Sequence, residues 1–239
     1  MMTRAPAIVV LVGVLTLGML GFDAPPGKPK LADRSLLPSQ VLGFTALYGN
    51  NCAGCHGADG RFGASRPLND PLYLALAPRD RVRQVIADGI PNTLQPAFAA
   101  SAGGQLTDAQ IEALVTGLVE KWGKSSPVPA GSLPAYAAPA GSADRGQAVY
   151  AAACAACHGP SGKGGPKGGA IADASYLALV TDQYLRTTVI AGRVDLGMPD
   201  WRGYLPGQAL TAQQIADVVA WLAAQRRQIP GRPVQAREG

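Results

Sequence analysis

Four cysteines and two histidines are the residues best placed to do chemistry in this 239-residue chain. All six fall in two windows, Cys52-Ala53-Gly54-Cys55-His56 and Cys154-Ala155-Ala156-Cys157-His158. Cys-x-x-Cys-His is the attachment signature of c-type haem. Thiols three residues apart can reach both vinyl groups of one porphyrin edge and form thioethers. The adjacent His then lies over the ring and offers Nε2 to the iron, while Nδ1 needs an acceptor that fixes the tautomer. Carbonyls near Pro67 and near Ala170 are candidates for that acceptor. A zinc site would pair two such knuckles across a loop of about 15–20 residues, whereas these lie 102 residues apart. A redox Cys-x-x-Cys needs no His and sits on a βαβ unit. No Cys remains for a disulfide or a nucleophile, and no His for a general base.

The elements that must position these windows come in two copies. Tyr48 precedes Cys52 by four residues, as Tyr150 precedes Cys154. Leu72–Leu76 matches Ser175–Leu179, Val85–Ala87 matches Val189–Ala191, and Leu106–Ile111 matches Leu210–Ile215. Such order marks a duplication. Each copy reads as helical, with a first helix near 39–48 and 143–153 and a second near 79–88 and 182–191. The last helix opens on a capping box, Thr107 with Gln110 and Thr211 with Gln214. Gly123 is placed to end the first of these helices, and Arg226-Arg227 to face the negative end of the second. Between the copies, residues 125–142 carry prolines and no charge, which predicts a semi-rigid extended linker. The expected organisation is an N-terminal segment and spacer at 1–35, a domain at 36–124, the linker at 125–142, a domain at 143–228 and a tail at 229–239. Each domain is small enough to need a staple, which a large buried cofactor would supply.

Each unit resembles a class I cytochrome c domain, and the pair resembles a dihaem cytochrome c. The second copy carries the pattern Gly146…Tyr150, Cys154–Gly159, Met198-Pro199 and Thr211–Trp221. The first carries Tyr48, Cys52–Gly57 and Thr107–Trp122. The resemblance implies an all-α fold of two tandem domains, two haem c groups, thioethers at Cys52, Cys55, Cys154 and Cys157, and iron ligation by His56 and His158. It also implies that Gly146 and Tyr150 meet the last helix near Trp221. In the first copy Gly43 stands one residue too far from Tyr48, and Gly117 stands where Trp221 stands, so its helix crossing departs from the pattern.

The sixth iron ligand separates the copies. Met198 lies 40 residues after His158, before Pro199, and the other methionines are Met1, Met2 and Met19. A thioether favours ferrous iron, and His/Met ligation raises the potential; the plainer role is core filling. The first copy has Gln95 there, 39 residues after His56 and before Pro96. Gln95 could ligate through its amide oxygen, the iron could be five-coordinate or hold water, or a Lys, a Tyr or a partner's residue could swing in. Each outcome gives haem 1 a lower potential than haem 2. Phe98 and Trp201 could line the haems or simply pack, Arg193 could meet a propionate or solvent, and Tyr73 and Tyr176 read as core.

The remaining composition excludes several classes. The net charge is +5, from 21 basic and 16 acidic residues, and no basic block exceeds Arg226-Arg227, so nothing points to nucleic acid. Apolar residues make up 47% and charged residues 15%, which excludes a charged disordered chain or a coiled coil. Ala7–Phe22 is uncharged and reads as a transmembrane anchor or a cleaved signal, with Arg4 holding the N-terminus in the cytoplasm. The haem domains are then expected on the periplasmic face of a bacterial inner membrane. With no nucleotide loop or spare acid–base pair, the expected function is electron transfer rather than enzymatic catalysis. The expected partners are subunits of a membrane electron-transfer complex or other redox proteins. The alternatives are a haem enzyme or small-ligand binder at haem 1, and a structural subunit with idle haem.

Overall fold

The computed structural model describes residues 30, 34–124, 128–129 and 131–227. The apolar segment Ala7–Phe22, most of the spacer and the tail at 229–239 lie outside the described residues. Among the described residues, no helix is long and apolar enough to cross a membrane. The chain divides into two units, Met1–Pro38 and Ser39–Gly239, and both copies of the repeat lie in the second.

The described residues of that unit form helices joined by turns, with only isolated bridges between extended residues. The first lobe holds α1 (Phe44–Asn51), α2 (Ala53–His56), α3 (Pro71–Leu76), α4 (Arg79–Asp88) and α5 (Asp108–Trp122). The second repeats them as α6 (Ala143–Ala153), α7 (Ala155–His158), α8 (Ala174–Leu179), α9 (Asp182–Ala191) and α10 (Ala212–Ala224). Both capping boxes form, each Thr accepting from the N3 amide while the N3 Gln accepts from the Thr amide. The short helices α3 and α8 are capped by Asp70 and Asp173, each of which accepts two backbone N–H groups. Helix α1 starts at Phe44 rather than near Ser39, because Gly43 stands at its N-cap with extended backbone. Arg226 does not lie free at the end of α10; it donates to the carbonyls of Leu177 and Val180, both at 2.9 Å, and pairs with Asp182.

In the second lobe α6 crosses α10 at backbone contact. A Cβ on Gly146 would lie 2.0 Å from the Asp217 carbonyl oxygen and 2.7 Å from Trp221 Cβ. Tyr150 then stacks on Trp221 with ring centroids 4.2 Å apart. The first lobe solves the same crossing with the sizes exchanged. Phe44 stands where Gly146 stands, and its ring fills the space over Gly117, where a Cβ would lie 2.1 Å from Phe44 Cδ2. Tyr48 meets Trp122 edge-on at 5.0 Å. Bulk and gap have traded helices, so both lobes close.

The two lobes are joined by packing as well as by chain. Leu72 and Leu76 of α3 share one apolar cluster with Tyr150, Ile190 and Ile215. The connecting segment, expected to be extended, is docked: Val128 is buried, and Leu133 and Tyr136 pack on the same cluster. Arg186, only 1% exposed, donates from Nε to the carbonyls of Ala135 and Tyr136 at 3.2 and 3.1 Å. A buried guanidinium needs acceptors, and the connecting segment supplies them for Nε and Nη2, while Nη1 is buried without one.

Candidate functional site

Each cysteine window is an interrupted helix. Cys52 ends α1 and starts α2 at φ −118°, ψ −36°, and Cys154 does the same between α6 and α7 at φ −119°, ψ −31°. One further turn carries the second thiol and the histidine. The glycine after each histidine has positive φ, +85° at Gly57 and +80° at Gly159. A Cβ there would strike the Arg61 or Gly164 carbonyl oxygen at 1.8 or 2.4 Å. The tyrosine one helix earlier ties down the same glycine: Tyr48 donates to the Gly57 carbonyl at 2.8 Å and Tyr150 to that of Gly159 at 2.6 Å.

The histidines are oriented alike. His56 Nδ1 lies 2.8 Å from the Arg66 carbonyl oxygen, and His158 Nδ1 lies 2.8 Å from that of Gly169. These are the residues just before the two positions expected from the sequence. A carbonyl only accepts, so Nδ1 carries the proton and Nε2 keeps a lone pair. Burial pushes the His56 pKa down, against the opposing hydrogen bond to Arg66, so the neutral ring that an iron ligand requires is favoured. Burial, with the neighbouring cysteine second, raises the Cys52 thiol to about 11 and the Cys154 thiol to about 12. None of the four cysteines is joined in a disulfide. Among the described residues no three His, Cys, Asp or Glu side chains converge as a metal cluster.

The opposite side of each site is also built alike. Helices α4 and α9 end in positive-φ glycines, Gly89 and Gly192. A Cβ on Gly89 would lie 2.7 Å from the Gln95 carbonyl oxygen, and one on Gly192 2.7 Å from that of Met198. The two glycines therefore hold Gln95 and Met198 at equivalent places. The Gln95 side chain donates from Nε2 to the Pro96 carbonyl at 3.4 Å, and its nearness raises the His56 pKa against the larger effect of burial. Phe98 and Trp201 donate their backbone N–H to Ile86 and Ile190, at 3.0 and 3.1 Å, and both side chains pack in the apolar clusters. Arg193 bonds the Met198 backbone through its own N–H and carbonyl. It forms a two-pronged ion pair with Asp195, the two side chains being 13% and 2% exposed.

The residues present fit a haem in each lobe. Leu94 beside Gln95, and Val194 and Leu196 beside Met198, are large apolar side chains left 63–73% exposed, a surface that a porphyrin face would cover. The Tyr204 hydroxyl is buried without a hydrogen-bond partner, and its ring packs in the same cluster as Cys154. It is a donor for which a propionate would be the acceptor. Sequence reasoning missed the Phe44–Gly117 exchange, the docked connecting segment and the buried side chain of Arg66. That side chain crosses into the second lobe.

The sequence profile of the family described as cytochrome c oxidase, cbb3-type, subunit III matches residues 40–116 and 141–222. The chain is similar to the Cbb3-type cytochrome c oxidase subunit CcoP of Azospirillum sp. (strain B510), 29% identical over 187 residues that cover 71% of this chain and 58% of that protein. It is 30% identical over 185 residues to subunit FixPc of Rhizobium leguminosarum bv. viciae, covering 73% of this chain and 58% of that one. A stretch of 75 residues is 43% identical to the dihydro-heme d1 dehydrogenase of Pseudomonas aeruginosa, 31% of this chain and 14% of that enzyme. The chain thus spans under two thirds of the length of these curated relatives. With two matching regions, one over each attachment window and together more than half of the chain, the protein belongs to the cbb3-type cytochrome c oxidase subunit III family and is a c-type cytochrome with two haems.

Proposed function

We propose that the chain carries electrons through its two haems as a subunit of a membrane-bound oxidase of the cbb3 type. The observation that supports this best is the matched geometry of the two lobes. Each imidazole has Nδ1 committed to a carbonyl at 2.8 Å, and each lobe holds a loop bearing Gln95 or Met198 against a positive-φ glycine. In this reading one haem is attached at Cys52 and Cys55 in the domain 36–124, with His56 on its iron. The other would be attached at Cys154 and Cys157 in the domain 143–228, with His158 and Met198 to hold its iron. Each haem supplies one-electron redox chemistry. The protein's residues hold the imidazoles in one tautomer, exclude water and set the strength of the sixth ligand. The haem lobes lie outside the bacterial inner membrane, anchored through Ala7–Phe22, and oxygen reduction belongs to another subunit of the assembly. Replacing Cys52 and Cys55 together by Ser tests this. One haem per chain should remain, by pyridine haemochromogen assay, and oxidase activity of the membranes should be lost. Two haems retained, or full activity with one, would refute the reading.

A second reading has support from Gln95, whose amide is a weaker donor to ferrous iron than the thioether of Met198. Haem 1 would then take small ligands. Carbon monoxide binding to about half the reduced haem, read in the Soret band, would favour it, and no binding would exclude it.

A further inference from the structure

We propose that Arg66 is a positioning residue through which the second lobe holds the proximal histidine of haem 1. The inference rests on the reading of His56 as an iron ligand. Arg66 has two ends with separate duties. Its carbonyl accepts the His56 Nδ1 proton at 2.8 Å. Its side chain leaves the first lobe and is buried in the second, with the residue 9% exposed. There Nη2 lies 2.6 Å from Thr187 Oγ1, 3.0 Å from Thr188 Oγ1 and 3.1 Å from the Tyr184 carbonyl oxygen. Two N–H groups are shared among three oxygens. The Thr187 hydroxyl spends its own proton on the Gln183 or Tyr184 carbonyl, at 2.9 or 3.2 Å, so its lone pairs are free for the guanidinium. The planar group is also gripped on its faces, 4.2 Å from the Tyr73 ring centroid and 4.7 Å from that of Tyr184. Arginine suits such a place because its planar fork can stack and donate at once.

A second tie runs beside the first. The Phe62 amide, in the same loop after His56, donates to Asp195 Oδ2 at 3.3 Å. Asp195 pairs with Arg193, whose backbone N–H and carbonyl both bond Met198, at 3.1 and 3.0 Å. Thr188, which holds Arg66, accepts the N–H of Gly192 at 2.8 Å, and Gly192 abuts Met198. The loop that orients the proximal ligand of haem 1 is thus anchored on the elements that present the Met198 loop. The hydrogen bond at Nδ1 governs ring orientation and donor strength toward the metal. If the guanidinium is released, the loop loosens, that bond weakens and the imidazole becomes a poorer donor to ferric iron.

The test perturbs the Arg66 tie from either end, and in the double variant the perturbation lies in the second lobe and the readout in the first. Arg66→Ala and the double variant Thr187→Val/Thr188→Val are compared with the wild type by potentiometric titration and by EPR of the ferric haems. The double variant removes the two hydroxyls that hold the Arg66 guanidinium and serves if Arg66→Ala does not fold. Expected is a rise in the haem 1 potential equal to about a threefold change in its Fe(II)/Fe(III) ratio, ~28 mV at about 59 mV per tenfold. The haem 1 EPR signal should move and the haem 2 signal should not. A fall in Tm with both haem 1 readouts unmoved would make Arg66 merely structural and overturn the proposal, as would equal shifts at both haems. A haem count below two in the wild type would instead overturn the underlying haem reading.

Discussion

Gly146→Ala should destabilise the second lobe although alanine is the better helix former. The added methyl would sit 2.0 Å from the Asp217 carbonyl oxygen and 2.6 Å from its carbon, both backbone atoms of α10. Ordinary contact needs more than an ångström of extra separation, and a helix backbone cannot yield that locally. Overpacking of this kind costs ~1–3 kcal/mol. Parting the helices also strains the Tyr150–Trp221 stack at 4.2 Å, which adds up to ~1.5 kcal/mol. The alanine returns about 1 kcal/mol in helix propensity, so the net loss is ~0–3.5 kcal/mol. At roughly 2–4 °C per kcal/mol for a unit of this size, Tm should fall by up to ~14 °C. Gly49→Ala is the matched control, since Gly49 lies in α1 and a Cβ there meets nothing within 4 Å; it should raise Tm. The assay is thermal unfolding of the haem-loaded protein by far-UV circular dichroism. If Gly146→Ala were as stable as Gly49→Ala, the close crossing of α6 and α10 would be wrong. The position of Cys154 at the end of α6 would lose its explanation too.

Two further outcomes are expected. Gln95→Met should raise the haem 1 potential toward that of haem 2 and abolish any carbon monoxide binding, because the loop held by Gly89 presents the thioether as Gly192 presents Met198. An unchanged titration would break the equivalence. Asp217 is held at about 2, below its ordinary 3.8, chiefly by the hydrogen bond from Arg145, with Gln213 and the Ser142 N–H assisting against burial. A depressed folded pKa gives stability that is full above the unfolded value and lost as pH falls from about 4 toward about 2. Arg145 is exposed, so this amounts to about 1 kcal/mol. Asp217→Asn should remove that slope from Tm measured between pH 2 and 5, and an unchanged slope would refute it.

What the sequence disclosed follows from how local each signal is. The windows and the capping boxes depend on residues a few positions apart, and the repeat shows as the same short strings in the same order; the structure forms the capping boxes and repeats the helices accordingly. The exchange of Phe44 and Gly117 for Gly146 and Trp221 was hidden because it needs two offsets at once. Tyr48 and Tyr150 set one, Thr107 and Thr211 the other, and only together do they place a bulky residue opposite each gap. Arg66 offered no signal, since its acceptors lie 118 to 122 residues away. The segment at 125–142 read as a semi-rigid extended linker because prolines describe its backbone but not the buried Arg186 that bonds its carbonyls. Arg193 read as available for the same reason: Asp195 is near in sequence, but burial of the pair is a tertiary fact.

In the proposed reading the lobes share one scaffold and differ in the residue offered as sixth ligand, Gln95 against Met198. A potentiometric titration of the wild-type protein in the Soret band tests it most directly. Two one-electron components of equal amplitude are expected, with the lower one lost selectively when Cys52 and Cys55 are replaced. A single high-potential component of full amplitude would contradict it.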